Sequence, residues 1–557
     1  MKKNKTKINV GDHIISIAIC LAITLGVNLQ VGNNSYSSNI VMKIFGVLLP
    51  VTFALVVLLL KNKNLEFGLD KKKSFWLVAL LIYIFFLATT SSEIGRFMLG
   101  TADRNLGGIS IGLAVLCFFV GRLLSKNQQK FILIVLILNG VCQALVVGYQ
   151  KYLQPDILSL TGIGVFEAPP VYGTFYNSNP LSFFLGIVAS GLSAFLLRSK
   201  IMSKVVLLAC ISLSALFLGL AWSGSSQGLI AVLITGLFYI VSKYIRPIKQ
   251  KFSLVLSLTY GFGLITFFLV VTLLPLQTSS NISGNPYLER LEIYKSALQI
   301  SAANFVTGAG TDRFASEYGK YTLLSDLKLV DNAHSIPLHI LSTQGLFGLF
   351  FFLSFMFWVL STKENSLNSQ NSEWSFWQAV FFSYALIGII GIDHPAVTAV
   401  GFLAAGILRS KHQDSKITIP KSTLSFSPKL VYSVTLFFGI FLSFTLFCLA
   451  HAEIKVGNSI SQLSQKTISI SEFENTVRGE YRNVYNARIL LNTGEAYIAI
   501  GNAVEALRVA EFMLSRFPDD QRTSALYFAI AKNWNDPQTY RVAVEVRDRL
   551  FPNAGNL

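Results

Sequence analysis

Long apolar runs recur along the first 450 positions of this chain, separated by short polar stretches. They fall near 13–31, 40–60, 74–90, 107–123, 131–149, 179–197, 205–222, 228–242, 252–275, 336–360, 375–392, 396–409 and 430–450. A run of about twenty such residues crosses a hydrocarbon core of about 30 Å as a helix. Helices are required there, because lipid offers no partner to a backbone amide or carbonyl. The pattern predicts an all-α, polytopic membrane protein with 12 to 13 transmembrane helices. Beyond residue 450 the apolar runs stop, and residues 451–557 read as a separate set of amphipathic helices.

The polar stretches alternate in character. MKKNKTK, KNKNLEFGLDKKK, RLLSKNQQK, RSKIMSK and KYIRPIKQK are basic, and those between them carry far fewer cations. Positive loops stay in the cytoplasm, which places the N-terminus inside. Residues 91–106, 150–178, 223–227, 276–335, 391–395 and the tail then face outward. The short runs 228–242 and 396–409 are needed to keep the basic loops inside. No small-residue cleavage site follows the basic start, so the first run reads as an uncleaved helix.

Composition agrees: 52% hydrophobic against 13% charged residues, with a mean hydropathy of +0.54, is too apolar for soluble domains. The net charge of +17 sits mainly in the short loops and reports orientation, so no nucleic-acid partner is expected. All five cysteines, Cys20, Cys117, Cys142, Cys210 and Cys448, fall in apolar runs without paired spacing, which argues against disulfides and a cysteine-held metal. In the tail, Phe517-Pro518 recurs as Phe551-Pro552 after 34 residues, the period of a tetratricopeptide helix pair. An unrelated helical hairpin is the alternative.

The outward segments hold the unusual polar residues. In the longest, 276–335, Arg290, Tyr294 and Lys295 fall on a short helix whose stripe of Leu291, Tyr294, Leu298 and Phe305 would lie on the membrane or the bundle. TGAGTDRF follows, too short and without the preceding strand of a dinucleotide signature, and it also reads as a plain turn. No cofactor is expected. DNAHS then opens the 336–360 run, with Asp331 and Asn332 able to orient His334, whose imidazole can take a proton from a hydroxyl near neutral pH. His334 alone also reads as a helix-end residue, and His339 as packing or support. WSGSSQG with Gln227, SSEIGRFMLGTADRNLGG with Arg96 and Arg104, VYGTFYNSNPLSFF with Asn179, and GIDHPAV with Asp393 and His394 complete a polar vestibule. Each also reads as a loop. Arginines at that depth suit a phosphate-bearing substrate, with side chains and no metal neutralising its charge.

The order YGTFYNSNPLS, SGSSQG, RLEIYKSALQISAANFVTGAGTDRF and DNAHS resembles the O-antigen ligase and polymerase superfamily of bacterial envelope proteins, over residues 75–410. That resemblance implies a C-type glycosyltransferase-like membrane domain, 1–450, to which the 34-residue interval and the count of crossings add an extracytoplasmic tetratricopeptide-like domain, 451–557. It implies a metal-independent membrane glycosyltransferase, O-antigen ligase-like, at the outer face of the bacterial cytoplasmic (inner) membrane. The donor would be a polyprenyl-diphosphate-linked oligo- or polysaccharide and the acceptor a glycan, lipid or protein hydroxyl, with the lipid bilayer as setting. His334 matches the family's candidate base and Arg290 the arginine expected on the diphosphate. Gln227, Asn332, Asp331 and Asn179 would line the substrate site. Ser226-Gln227-Gly228 stands where many members carry Ser-Arg-Gly, and Arg96 or Arg104 would supply the missing charge. His334-Ser335 replaces His-Asn, and serine still donates a hydrogen bond. A polysaccharide polymerase and a protein O-oligosaccharyltransferase share these motifs, the tail favouring a protein or envelope-anchor acceptor or a protein partner. An exporter is the reading outside the class.

Overall fold

The computed structural model describes residues 10–29, 36–61, 94–100, 107–153, 171, 173–175, 177–199, 204–245, 252–273, 286–311, 313–322, 330–362, 372–391, 393–410 and 428–552. Their regular structure is helical. The bundle comprises α1 (Val10–Asn28), α2 (Tyr36–Lys61), the short α3 (Ile94–Leu99), α4 (Gly108–Leu123), α5 (Lys126–Tyr152), α6 (Ser178–Arg198), α7 (Lys204–Trp222), α8 (Gln227–Tyr244) and α9 (Phe252–Leu273). It continues with α10 (Pro286–Ala303), α11 (Phe314–Tyr321), α12 (Ile336–Leu360), α13 (Ser372–Ile390), α14 (Pro395–Leu408) and α15 (Pro428–Ser464). The tail adds α16 (Ile470–Glu480), α17 (Ala487–Ala499), α18 (Ala503–Arg516), α19 (Gln521–Trp534) and α20 (Pro537–Leu550).

Twelve of the thirteen expected spans appear as helices, and the remaining one, 74–90, lies outside the described residues. Among the described residues, 8 helices are long and apolar enough to cross a membrane. The chain is a polytopic helical membrane protein. α13 and α14 fall short of that measure for a physical reason: other helices enclose them almost wholly, so lipid sets neither their length nor their polarity. α6 and α13 form the centre, with Phe183, Ile187, Phe376 and Phe381 fully buried.

Small residues set a close crossing near the polar end. A Cβ on Gly186 would come within 2.6 Å of Gly228 Cα, and one on Gly228 would collide with the Ser182 carbonyl. Inside a bilayer there is no hydrophobic drive between helices, so close packing and side-chain hydrogen bonds hold such a crossing. Ser182 Oγ accepts from Gly228 N at 3.0 Å and donates to the Ser225 carbonyl at 2.9 Å.

α12 is broken. Gly345 has φ 69° and ψ −167°, a conformation essentially confined to glycine. The break changes the partners of several backbone groups. Leu346 N donates to the Phe305 carbonyl at 2.8 Å, while the Ser342 and Thr343 carbonyls accept from Ala309 N at 2.8 Å and Gly310 N at 3.0 Å. The TGAG turn is thus a plug for an opened helix. Irregular backbone at membrane depth is tolerated only where protein or water satisfies it.

The last span does not stop near 450: α15 runs unbroken to Ser464 and carries into the tail. There Phe473, Leu490, Tyr497, Val509, Met513 and Leu526 form a core distinct from the bundle's. The second helix pair of the tail repeats the first at a fixed interval, its helices starting at 521 and 537 against 487 and 503.

Gly345→Ala is expected to cost about 3 kcal/mol, because alanine avoids this conformation and the added Cβ collides with the Val306 carbonyl. Gly236→Ala, with nothing within 4 Å, is expected to stay within about 1 kcal/mol of wild type. Thermal melting of the detergent-purified protein checks this; equal melting of the two variants would remove the plug from the account.

Candidate functional site

The site is built at the end of the bundle where α6, α8, α12 and α14 begin. α10 lies across this end, with the Tyr294 ring 5.0 Å from that of Phe267 on α9. Tyr294 is buried and its hydroxyl donates to the His334 carbonyl at 3.4 Å. Burial pushes the Tyr294 phenol up to about 12, the positive charge of Arg290 offsetting part of the effect. The phenol therefore remains a neutral donor through the physiological range. Arg290 stands half-buried one turn before Tyr294. One side chain thus links the neighbourhood of the expected cation to the backbone of the expected base. Lys295 follows on the same helix, but Phe305, expected on the apolar stripe, lies past the helix end and is exposed.

His334 is half-buried and has φ 49°, one of three non-glycine residues at positive φ among those described. Such a conformation costs about 1–3 kcal/mol and persists only when neighbours enforce it. Asn332 does so: its Oδ1 accepts from His334 N at 2.7 Å, and its Nδ2 donates to Asp331 Oδ1 at 3.2 Å. Ser335 then caps α12, its Oγ accepting from Leu338 N at 3.4 Å. Asn332 therefore holds the backbone of the histidine, a bond that the sequence does not announce.

The serine-rich turn and the Asn-Pro motif meet as one unit. Ser225 Oγ donates to Asn179 Oδ1 at 2.9 Å, and the Asn179 backbone amide donates to Asn177 Oδ1 at 2.9 Å. Gln227 Nε2 donates to the Ile390 carbonyl at 3.1 Å, and its buried Oε1 has no hydrogen-bond partner among the described residues. This ties the start of α8 to the end of α13. Just beyond, Asp393 accepts from His394 N at 2.9 Å and from the Thr398 hydroxyl. Burial pushes its carboxyl up, against the pull of those hydrogen bonds and of the His339 imidazole. His394 caps α14, its Nδ1 accepting from Ala396 N at 3.2 Å, and its ring packs 4.9 Å from Phe175. Four helix N-termini thus open here, each with a partial positive charge that favours anions.

Two charged groups escape the sequence reading. Lys43 of α2 is buried, its Nζ donating to the Val27 carbonyl at 2.5 Å and the Gly26 carbonyl at 3.3 Å, with the Phe175 ring at 5.1 Å. Glu292 is buried on α10, accepting from Ser296 Oγ at 3.3 Å. A lone cation inside an apolar run is the signal for the first, and a carboxylate amid apolar neighbours the signal for the second. Of the other expected residues, Arg96 falls on α3, and Arg104 lies outside the described residues. Among the described residues no three His, Cys, Asp or Glu side chains gather as for a metal ion.

A model of the O-antigen ligase family matches residues 172–353, which take in α6, the Ser223–Gly228 turn, α10, α11 and the first part of α12. The match supports membership of the O-antigen ligase superfamily and, in general terms, a ligase- or polymerase-type activity. No curated protein matches the chain.

Asn332→Ala removes the acceptor that holds His334 N and is expected to cost about 1–2 kcal/mol. Asn332→Ser keeps a short side-chain acceptor for His334 N and adds no charge beside Asp331, and is expected to melt closer to wild type. Thermal unfolding of both variants is the check, and indistinguishable melting would mean that this backbone bond does not hold His334.

Proposed function

We propose that this protein is a membrane glycosyltransferase that moves a polyprenyl-diphosphate-linked glycan onto an acceptor hydroxyl at the outer face of the bacterial cytoplasmic membrane. The family match over 172–353 supports the class. The observation that carries the residue roles is Tyr294, which feels the Arg290 charge and donates to the His334 carbonyl. Orientation rests on the basic loops, which put this end of the bundle and the tail outside.

In this reading the neutral His334 imidazole takes the proton of the acceptor O–H. The acceptor oxygen bonds to the anomeric carbon as the bond from that carbon to the diphosphate oxygen breaks, and polyprenyl diphosphate leaves. Arg290 neutralises the charge that develops on the leaving group, aided by the helix N-termini at this end. Gln227 and Asn179 line the donor site, and Arg96 or Arg104 supplies the further cation. Asn332 and Asp331 keep His334 in place. Side-chain cations serve in place of a metal ion, as the resemblance implies. The second reading is a protein O-oligosaccharyltransferase or polysaccharide polymerase using the same site. The helical tail, tetratricopeptide-like in its repeat, favours a protein or envelope-anchor acceptor over a second lipid-linked repeat.

The test is a mass-spectrometric and gel profile of lipid-linked and surface glycans in cells lacking the gene, complemented with wild type or His334→Asn. Asparagine tolerates positive φ, so this variant separates folding from chemistry. Without the gene, lipid-linked chains are expected to accumulate and surface glycan to disappear, and wild type alone is expected to reverse this. Accumulation of single repeats would mean polymerase, and loss of protein-linked glycan would mean oligosaccharyltransferase. Equal restoration by both versions would overturn the role of His334.

A further inference from the structure

α11 has two faces with different partners. One side carries Phe314 and Tyr318 into an apolar cluster with Ile293, Tyr294, Ala333 and Leu338, and puts the Phe314 ring 6.1 Å from the His339 ring. The other meets the tail. Arg313, which precedes the helix, pairs with Asp519 at 3.2 Å between Nη2 and Oδ2, although 206 positions separate them. Asp519 sits in the turn between α18 and α19, and Arg549 of α20 lies 3.9 Å from its other oxygen. Arg549 also donates to the Pro518 carbonyl, so this corner of the tail is braced from within.

The approach is close enough to dictate a residue. A Cβ on Gly319 would stand 2.5 Å from the Leu550 carbonyl and 2.6 Å from the Phe551 ring. A narrow cleft remains beside it, with Ala315 and Tyr318 on one wall and Gln521 and Phe551 on the other. A second contact fixes the tail elsewhere: Tyr485 Oη donates to the Gly100 carbonyl at 3.3 Å, and Leu99 packs on the tail core.

We propose that Arg313 is a positioning residue for the transfer reaction, and that Asp519, by holding it, makes the tail a clamp on the helix that backs the His334–His339 segment. The proposal rests on the glycosyltransferase reading above. α11 has only 8 residues, too few to hold its place by its own hydrogen bonds. Its tail-facing contacts keep Phe314 and Tyr318 seated, and through their cluster Tyr294 and the backbone of His334. Release of the clamp displaces the site slightly, which costs rate without removing any group that touches substrate.

The experiment compares full-length wild type, Arg313→Glu, Asp519→Arg and a charge swap that joins the two with Arg549→Gln, so that the new arginine does not face Arg549, reconstituted in liposomes with lipid-linked glycan and acceptor. Transfer kinetics are read alongside hydrogen–deuterium exchange of residues 314–321. Each single variant is expected to lose roughly ten-fold in kcat with the donor KM little changed, and to exchange faster in α11. The swap is expected to recover both, because the ion pair is restored with its polarity reversed and with no cation set against the new arginine. Failure of the swap to recover kcat overturns the proposal, as does faster exchange in the singles with undiminished transfer. If wild type moves no lipid-linked glycan, the glycosyltransferase reading fails, and with it the role in transfer; faster exchange in the singles that the swap reverses would still support the clamp, and equal exchange throughout would overturn it.

Discussion

The arrangement of this site depends on satisfying backbone groups where α12 opens. A span that breaks at membrane depth exposes amides and carbonyls that lipid cannot serve, at several kcal/mol for each left bare. Here Ala309 and Gly310 supply donors and Phe305 an acceptor, so the loop must enter the break. Once it has entered, the segment from α10 to α11 is anchored next to the first half of α12. The helix that carries Arg290 and the turn that carries His334 then lie side by side, joined through Tyr294.

A second constraint acts on the other wall. Gly186 and Gly228 bring α6 and α8 together closely enough for Ser182 to bond across, and that fixes the Ser223–Gly228 turn against Asn179. Gln143 and Gln150 of α5 hold the segment before α6 through Gly173 and Thr174. Thr174 also donates to the Val27 carbonyl, which Lys43 shares. The buried lysine donates to the last carbonyls of α1, so its amine is met by backbone acceptors instead of standing alone in an apolar interior. Polar clusters that look like separate loops in the chain are therefore joined from α1 to α14.

The spans were legible because apolar length follows directly from bilayer thickness, and the gathering of polar loops at one end followed from counting crossings. The motifs around Asn179, Gln227 and His334 were legible as candidate sites because serines, amides and a histidine are costly at that depth without partners. The break at Gly345 could not be read. A glycine in STQGLFG is ordinary in a transmembrane run, and its conformation is decided by the distant TGAG turn, which no local pattern reveals. The ion pair of Arg313 with Asp519 was hidden for the same reason, since it joins segments far apart in the chain. The SSEIGRFMLG stretch reads in the sequence as an outward loop, and its contact with the tail shows only in the structure, through the packing of Leu99 and the Tyr485 bond to the Gly100 carbonyl.

The conformation of His334 bears on why a histidine stands there at all. If the position served only to end a loop and start α12, glycine or asparagine would fill it at positive φ with less strain. Histidine instead carries a cost of about 1–3 kcal/mol, held in place by Asn332 and Tyr294. Strain of this kind persists where a side chain is wanted for something its backbone does not favour. The imidazole is therefore the costly part of the turn, and the surrounding hydrogen bonds are what make it tolerable. Among the described residues Lys466 and Asn535 share the positive φ, so the role proposed for His334 rests on its place beside Tyr294 and within the family match as well as on its backbone.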